Sequence, residues 1–133
     1  GAEFQTTLRL DPNSAVAAYN LGVILSRDKI NEAIIWCRKA YQLQPKDGKY
    51  GYTYAYYLYQ NGRSNQAIDV LTSMVDQQTD SVEAYVFLGQ IYQDRGQIGE
   101  AVAVYSRALQ NPRLPQEDRD LLMDKLRTSP SRP

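Results

Sequence analysis

Three segments of the chain, NEAIIWCRKA, NQAIDVLTSM and GEAVAVYSRA, place alanines at Ala33, Ala67 and Ala101, 34 residues apart each time. Upstream of each lies a matching stretch, AAYNLGVIL, GYTYAYYLY and AYVFLGQIY, in which Gly22, Ala55 and Gly89 recur at spacings of 33 and 34. A fixed period of this length constrains the fold more than any single motif. Each unit is one supersecondary piece that buries its apolar side only by stacking on its neighbours.

Within a unit the pattern gives two amphipathic stretches of about a dozen residues, which is helix length. Gly62 and Gly96 fall five residues before their alanines, where a tight turn joins two helices. The first unit has Lys29 near that turn and is one residue shorter; Pro12, Pro45 and Pro112 close successive units, with Thr79 in the corresponding place of the second. The small residues let paired helices approach closely, Ala33, Ala67 and Ala101 facing Gly22, Ala55 and Gly89.

The stretch KYGYTYAYYLYQNG, residues 49 to 62, tests this reading, because its alternating tyrosines mimic a strand. At about 100° per residue the tyrosines sort into two helical stripes, each about 60° wide. Tyr50, Tyr54 and Tyr57 form one, and Tyr52, Tyr56 and Tyr59 form the other on the opposite side. Gly51, Ala55 and Leu58 lie between them and face the partner helix. The repeat period decides for a helix, with the first stripe in the core and the second outward.

A helix–turn–helix period of 34 resembles the tetratricopeptide repeat (TPR). The residues that carry the resemblance are Leu21, Gly22, Leu25, Ala33, Cys37, Ala40 and Pro45 in the first unit. The second has Tyr54, Ala55, Leu58, Gly62, Ala67 and Leu71, and the third Tyr85, Leu88, Gly89, Tyr92, Gly96, Ala101, Tyr105 and Ala108. Met74 departs from the small residue usual at its place. The resemblance implies an all-α, right-handed α-α superhelix (solenoid) of three TPR-like helix hairpins with a C-terminal capping helix. The units are residues 15–47, 48–81 and 82–115. Residues 1–14 read as the second helix of a preceding partial repeat, with GAEF a candidate cloning remnant. Residues 116–128 read as the capping helix, Leu121, Leu122 and Leu126 covering the last repeat and Asp118, Arg119 and Asp124 facing water, and 129–133 as a disordered tail.

Composition narrows the chemistry. Fifteen basic residues balance fifteen acidic ones, and no basic stripe runs along the chain, so nucleic acid and anionic membranes are not expected partners. No apolar run approaches the roughly 20 residues that span a bilayer. The chain reads as soluble, compatible with cytoplasm or periplasm. There is no histidine and one cysteine, Cys37. That removes the commonest general base, the His-paired nucleophiles and thiolate clusters, so no catalytic residue, metal site or cofactor is expected. Glu83 and Asp94, a candidate carboxylate pair on one helix, stand roughly 16 Å apart along it, farther than glycosidases use.

What the resemblance implies about function is a groove, lined by the first helix of each pair, that takes a peptide or helix of a partner protein. The partner-binding positions are then Tyr19, Asn20 and Val23 in the first unit, Lys49, Tyr52, Thr53, Tyr56 and Tyr59 in the second, and Glu83, Phe87 and Gln90 in the third. Tyrosine suits the task, combining large contact area, few rotamers and a hydroxyl satisfied by water or ligand. The TPR subclass that grips chaperone carboxylate tails needs a cationic clamp. Its positions hold Tyr19, Val23, Thr53, Glu83 and Phe87 here, so that ligand is not expected. Alternative readings are a self-associating module giving a homo-oligomer, an accessory segment of a larger enzyme or electron carrier, and an RNA-binding helical repeat, for which the phosphate-tracking charge is missing.

Overall fold

Ser14, Asp47 and Ser81 stand 33 and 34 residues apart, each just before an apolar stretch. In the computed structural model of the chain, which describes residues 14–128, each of them starts a helix. The Ser14 hydroxyl accepts from the Ala17 amide at 3.1 Å, and the Ser81 hydroxyl from the Ala84 amide at 3.3 Å. Asp47 Oδ1 accepts from the amides of Lys49 at 3.0 Å and Tyr50 at 3.4 Å. The first amides of a helix have no internal acceptor, and such a cap stabilises its start by ~1 kcal/mol. The helices so begun are α1 (Ala15–Leu25), α3 (Gly48–Gln60) and α5 (Val82–Asp94). Alternating with them come α2 (Ile30–Leu43), α4 (Ser64–Asp76), α6 (Ile98–Leu109) and, last, α7 (Gln116–Thr128). Among the described residues all regular structure is helical, the tyrosine stretch included. The helix read over residues 2–12, the GAEF remnant and the tail at 129–133 lie outside the described residues.

Two hairpin turns owe their geometry to glycine. Gly62 and Gly96 have φ of 78° and 76°, the left-handed region that side chains resist. The Arg63 amide then reaches back to Leu58 O and the Gln97 amide to Tyr92 O, each at 2.8 Å, while Gly62 and Gly96 bond Tyr59 O and Gln93 O. The end of α4 makes the same closure without glycine. Gln78 adopts φ 56°, its amide bonding Val75 O and the next amide, Thr79, bonding Met74 O.

The chain divides into two compact units, Gly1–Val70 and Leu71–Pro133. In the first, α2 packs against both α1 and α3. One cluster of its core is built from Ala15, Ala17, Ala18, Leu21, Ala40 and Tyr50, with Tyr19, Leu25, Trp36, Tyr41 and Leu43 partly buried against it. Gly22 is where α1 meets α2: a Cβ there would stand 2.5 Å from Cys37 Sγ and 3.2 Å from the Ala33 carbonyl oxygen. The sequence pattern set Ala33 opposite this glycine. The tightest approach is in fact one turn further on, at Cys37. That thiol is fully buried, and burial pushes its pKa up to about 12.

In the second unit α6 packs against α5 and α7. The place matching Cys37 is Tyr105, whose ring lies flush on Gly89: a Cβ on Gly89 would stand 2.4 Å from the ring. A polar group sits where this hairpin closes. Asn111, 1 % exposed, donates through Nδ2 to the Thr79 carbonyl and the Tyr85 hydroxyl, both at 2.8 Å. Its Oδ1 accepts from the Arg113 amide at 2.9 Å, so the buried amide is satisfied on both sides. The capping helix departs from expectation in two places. Leu122 is buried and Leu126 half-buried, but Leu121 is 43 % exposed. Arg119 does not simply face water: its guanidinium donates to the carbonyls of Leu109 and Asn111 at 2.8 Å and Leu114 at 3.1 Å.

Candidate protein-interaction face

In the first unit the face is assembled from α1 and α3. Lys49, Tyr52 and Tyr56 follow at intervals of three and four residues, which sets them on one side of α3. Lys49 is exposed; its ammonium lies 5.1 Å from the centroid of the Tyr19 ring and 5.8 Å from that of Tyr50. Those two rings are 5.0 Å apart, one from α1 and one from α3. The charge thus rests on a two-ring platform, a geometry worth ~0.5–1 kcal/mol at an exposed site. Tyr50 is the buried half of the platform, and burial, then Asp47, then Tyr19 raise the pKa of its phenol.

Further along α3 the rings of Tyr52 and Tyr56 run nearly parallel, 19° apart in plane with centroids 6.2 Å apart. Gln60 Nε2 donates to the Tyr56 hydroxyl at 3.2 Å. Tyr56 is exposed, while Tyr52, Thr53 and Tyr59 are half-buried. On α1, Val23 is exposed and Asn20 half-buried. Tyr54 and Tyr57, expected in the core, are half-buried. Tyr54 meets Tyr41 of α2 with ring centroids 5.9 Å apart, and Tyr57 lies 6.1 Å from Tyr56. Burial raises the pKa of both phenols, opposed at Tyr54 by Arg38 and Arg63 and at Tyr57 by a hydrogen bond with Ser26.

No local pattern signals that Tyr50 lies beneath Lys49 together with Tyr19. The two tyrosines are 31 positions apart, and only the packing of α1 beside α3 brings them together.

The remaining sequence-selected residues lie on α5, in the second unit. Glu83 is exposed and accepts from the Ser81 hydroxyl at 3.2 Å, so it supports the helix cap as well as facing outward. Phe87 is half-buried. Gln90 is exposed and donates to Asp94 Oδ1 at 3.0 Å. These groups follow one another along α5 as Lys49, Tyr52 and Tyr56 do along α3, but with acidic rather than basic charge.

The family model described as anaphase-promoting complex, cyclosome, subunit 3, a model of the tetratricopeptide repeat type, matches residues 26–113, and the model described as tetratricopeptide repeat matches residues 2–48. The chain belongs to the tetratricopeptide-repeat family. Solved structures agree on the fold. A crystal structure of MamA superposes with a TM-score of 0.68 at 20 % identity, over 95 % of this chain and 82 % of that one. A second MamA structure gives 0.68 at 25 % identity, over 81 % and 60 %, and a MamA RS-1 ArsTM double mutant gives 0.65 at 18 %, over 95 % and 75 %. No curated protein sequence matches the chain. Tetratricopeptide repeats make this an all-α helical-repeat scaffold of the protein-interaction kind. No helix among the described residues is long and apolar enough to cross a membrane.

Proposed function

We propose that the chain binds a peptide or helix of a partner protein on the aromatic face of α1 and α3, through Tyr19, Asn20, Val23, Lys49, Tyr52, Thr53, Tyr56 and Tyr59. Glu83, Phe87 and Gln90 give α5 a recognition stripe of its own. The observation that carries the reading is the outward tyrosine stripe of α3, with Tyr56 39 % exposed beside a paired Tyr52 ring and a lysine held on two further rings. Aromatic side chains at solvent are concentrated at interfaces because they bury much area while freezing few rotamers. The proposal assigns the chain no catalytic step.

A random-sequence peptide array, read with the native chain and with a Tyr52→Ala, Tyr56→Ala double variant, tests it. Spots bound by the native chain alone, with circular dichroism of the two proteins equal, support the face. The expected affinity is on the order of micromolar, about −8 kcal/mol. Spots bound equally by both proteins remove the tyrosines from the site.

Self-association is a second reading. It draws on apolar side chains exposed in each unit, Ile24 and Ile35 in the first and Leu121 and Met123 in the second. Light scattering that stays at monomer mass across a concentration series refutes it.

A further inference from the structure

We infer that copies of the chain associate by laying the outer face of α2 of one against α7 of another, an inference that rests on the self-association reading above and supplies its two surfaces. Taken whole, the chain is uncharged, with fifteen basic and fifteen acidic residues. The distribution is uneven. Among the described residues, 14–70 hold seven basic and four acidic side chains, net +3, and 71–128 hold six basic and nine acidic, net −3. Copies therefore meet without net repulsion, and each unit attracts the opposite unit of a neighbour.

A patch of one design occurs in each unit, with the sign reversed. On α2, Ala33, Ile34, Cys37 and Ala40 are buried, which leaves Ile35 on the other side, 53 % exposed. Arg38 and Lys39, three and four residues on, are its neighbours on the helix surface, with Glu32 one turn before. Arg38 is exposed, and the Lys39 ammonium lies 5.9 Å from the centroid of the half-buried Trp36 ring. Among the described residues neither cation pairs with a carboxylate. On α7, Leu122 is buried and Leu121 exposed. Glu117 and Asp118 stand one turn before Leu121, and Asp124 and Lys125 one turn after, three carboxylates to one ammonium. Glu117 is exposed and pairs with no base among the described residues; Asp124 meets Arg127 at 3.4 Å in a solvent-exposed pair, which holds it weakly.

A lone exposed aliphatic residue is ordinary. Here Ile35 is ringed mainly by cations and Leu121 mainly by anions, so a second copy presents the surface that each patch lacks. Neither patch suits itself: α2 on α2 would oppose Arg38 and Lys39 to their own kind, and α7 on α7 would do the same to Glu117 and Asp124. Ile35 against Leu121 gives the contact a dry centre, and tryptophan and arginine are the residues most concentrated at such centres.

Sedimentation velocity over a concentration series tests this. The native chain is expected to associate, at least about fivefold more weakly in about 0.5 M than in about 0.05 M NaCl, because salt screens charges across an exposed contact. Two charge-reversed variants test the pairing: Arg38→Glu with Lys39→Glu, and Glu117→Lys with Asp124→Lys. Each alone is expected to stay monomeric where the native chain associates. An equimolar mixture is expected to associate again, since each variant keeps the native patch that the other has lost and the two reversed patches also match. The four sites lie at the surface, so both circular dichroism spectra should equal the native one; if a variant unfolds, the salt series on the native chain decides. Association insensitive to salt, a variant that associates alone at native strength, or a mixture of folded variants that stays monomeric overturns the inference and leaves self-association through other surfaces standing. A native chain at monomer mass throughout overturns both, and leaves the peptide-binding role of the α1–α3 face as it was.

Discussion

The two units put the same side chain to opposite uses. In the second, Tyr85 and Tyr105 are 1 % and 0 % exposed. In α3 of the first, Tyr50 alone of six tyrosines is buried. The difference lies in the neighbours. Tyr105 goes inside because Gly89 leaves room for its ring, and Tyr85 because Asn111 takes its hydroxyl. At the places matching Tyr85, the earlier repeats have Ala18 and Gly51, both buried. There the helices meet on small residues, and the tyrosines are left for the flanks. A phenol is a core residue only where the fold supplies both a hollow for the ring and a partner for the oxygen.

The sharpest way to break this comparison is to truncate one tyrosine from each use. Tyr105→Ala is expected to cost about 4 kcal/mol, the range for deleting a buried aromatic, whereas Tyr56→Ala should fall within ~0.5 kcal/mol of native. Urea unfolding reads both, and equal losses would abolish the distinction. Next in size is Asn111→Leu, which strands the Thr79 carbonyl and the Tyr85 hydroxyl and should cost about 2–3 kcal/mol; a near-neutral result would mean the polar group is dispensable to the second unit.

Alkaline pH acts on buried groups in both units. The Cys37 thiol is held at about 12 against an ordinary 9, and the Tyr85 and Tyr105 phenols are raised above 10, all chiefly by burial. The unfolded chain gives up these protons first. The stability each group contributes is therefore intact below its unfolded pKa and drains away as pH climbs toward its folded value. The urea midpoint should begin to fall above pH 9, with Cys37→Ala removing the fall between 9 and 10 and making it shallower from there to about 12, where the raised phenols also contribute. The smallest effect is a gain. Gln78→Gly relieves a left-handed side-chain residue and should stabilise by about 0.5–1 kcal/mol, visible as a higher thermal midpoint.

Much of this was legible in the sequence because it rests on period. The 34-residue spacing of the alanines, and the glycines at 62 and 96, announce helix pairs and their turns from local chemistry alone. What escaped is what depends on residues far apart in sequence or on backbone acceptors. Cys37 rather than Ala33 packs closest to Gly22, a matter of how the helices cross. The caps at Ser14, Asp47 and Ser81 share the period but are easily passed over beside the stronger apolar signal. At the interaction face, the split of the tyrosines into two stripes followed from helical geometry. The Tyr19–Tyr50 platform under Lys49 needed a contact between separate helices, which no local pattern encodes.

Arg119 carries one consequence of its own. All three of its partners are main-chain oxygens, at Leu109, Asn111 and Leu114. Because it grips the polypeptide itself, the latch that fastens the final helix is indifferent to which side chains those three positions bear. Mutational drift there can reshape the local packing without undoing the fastening, provided the arginine stays.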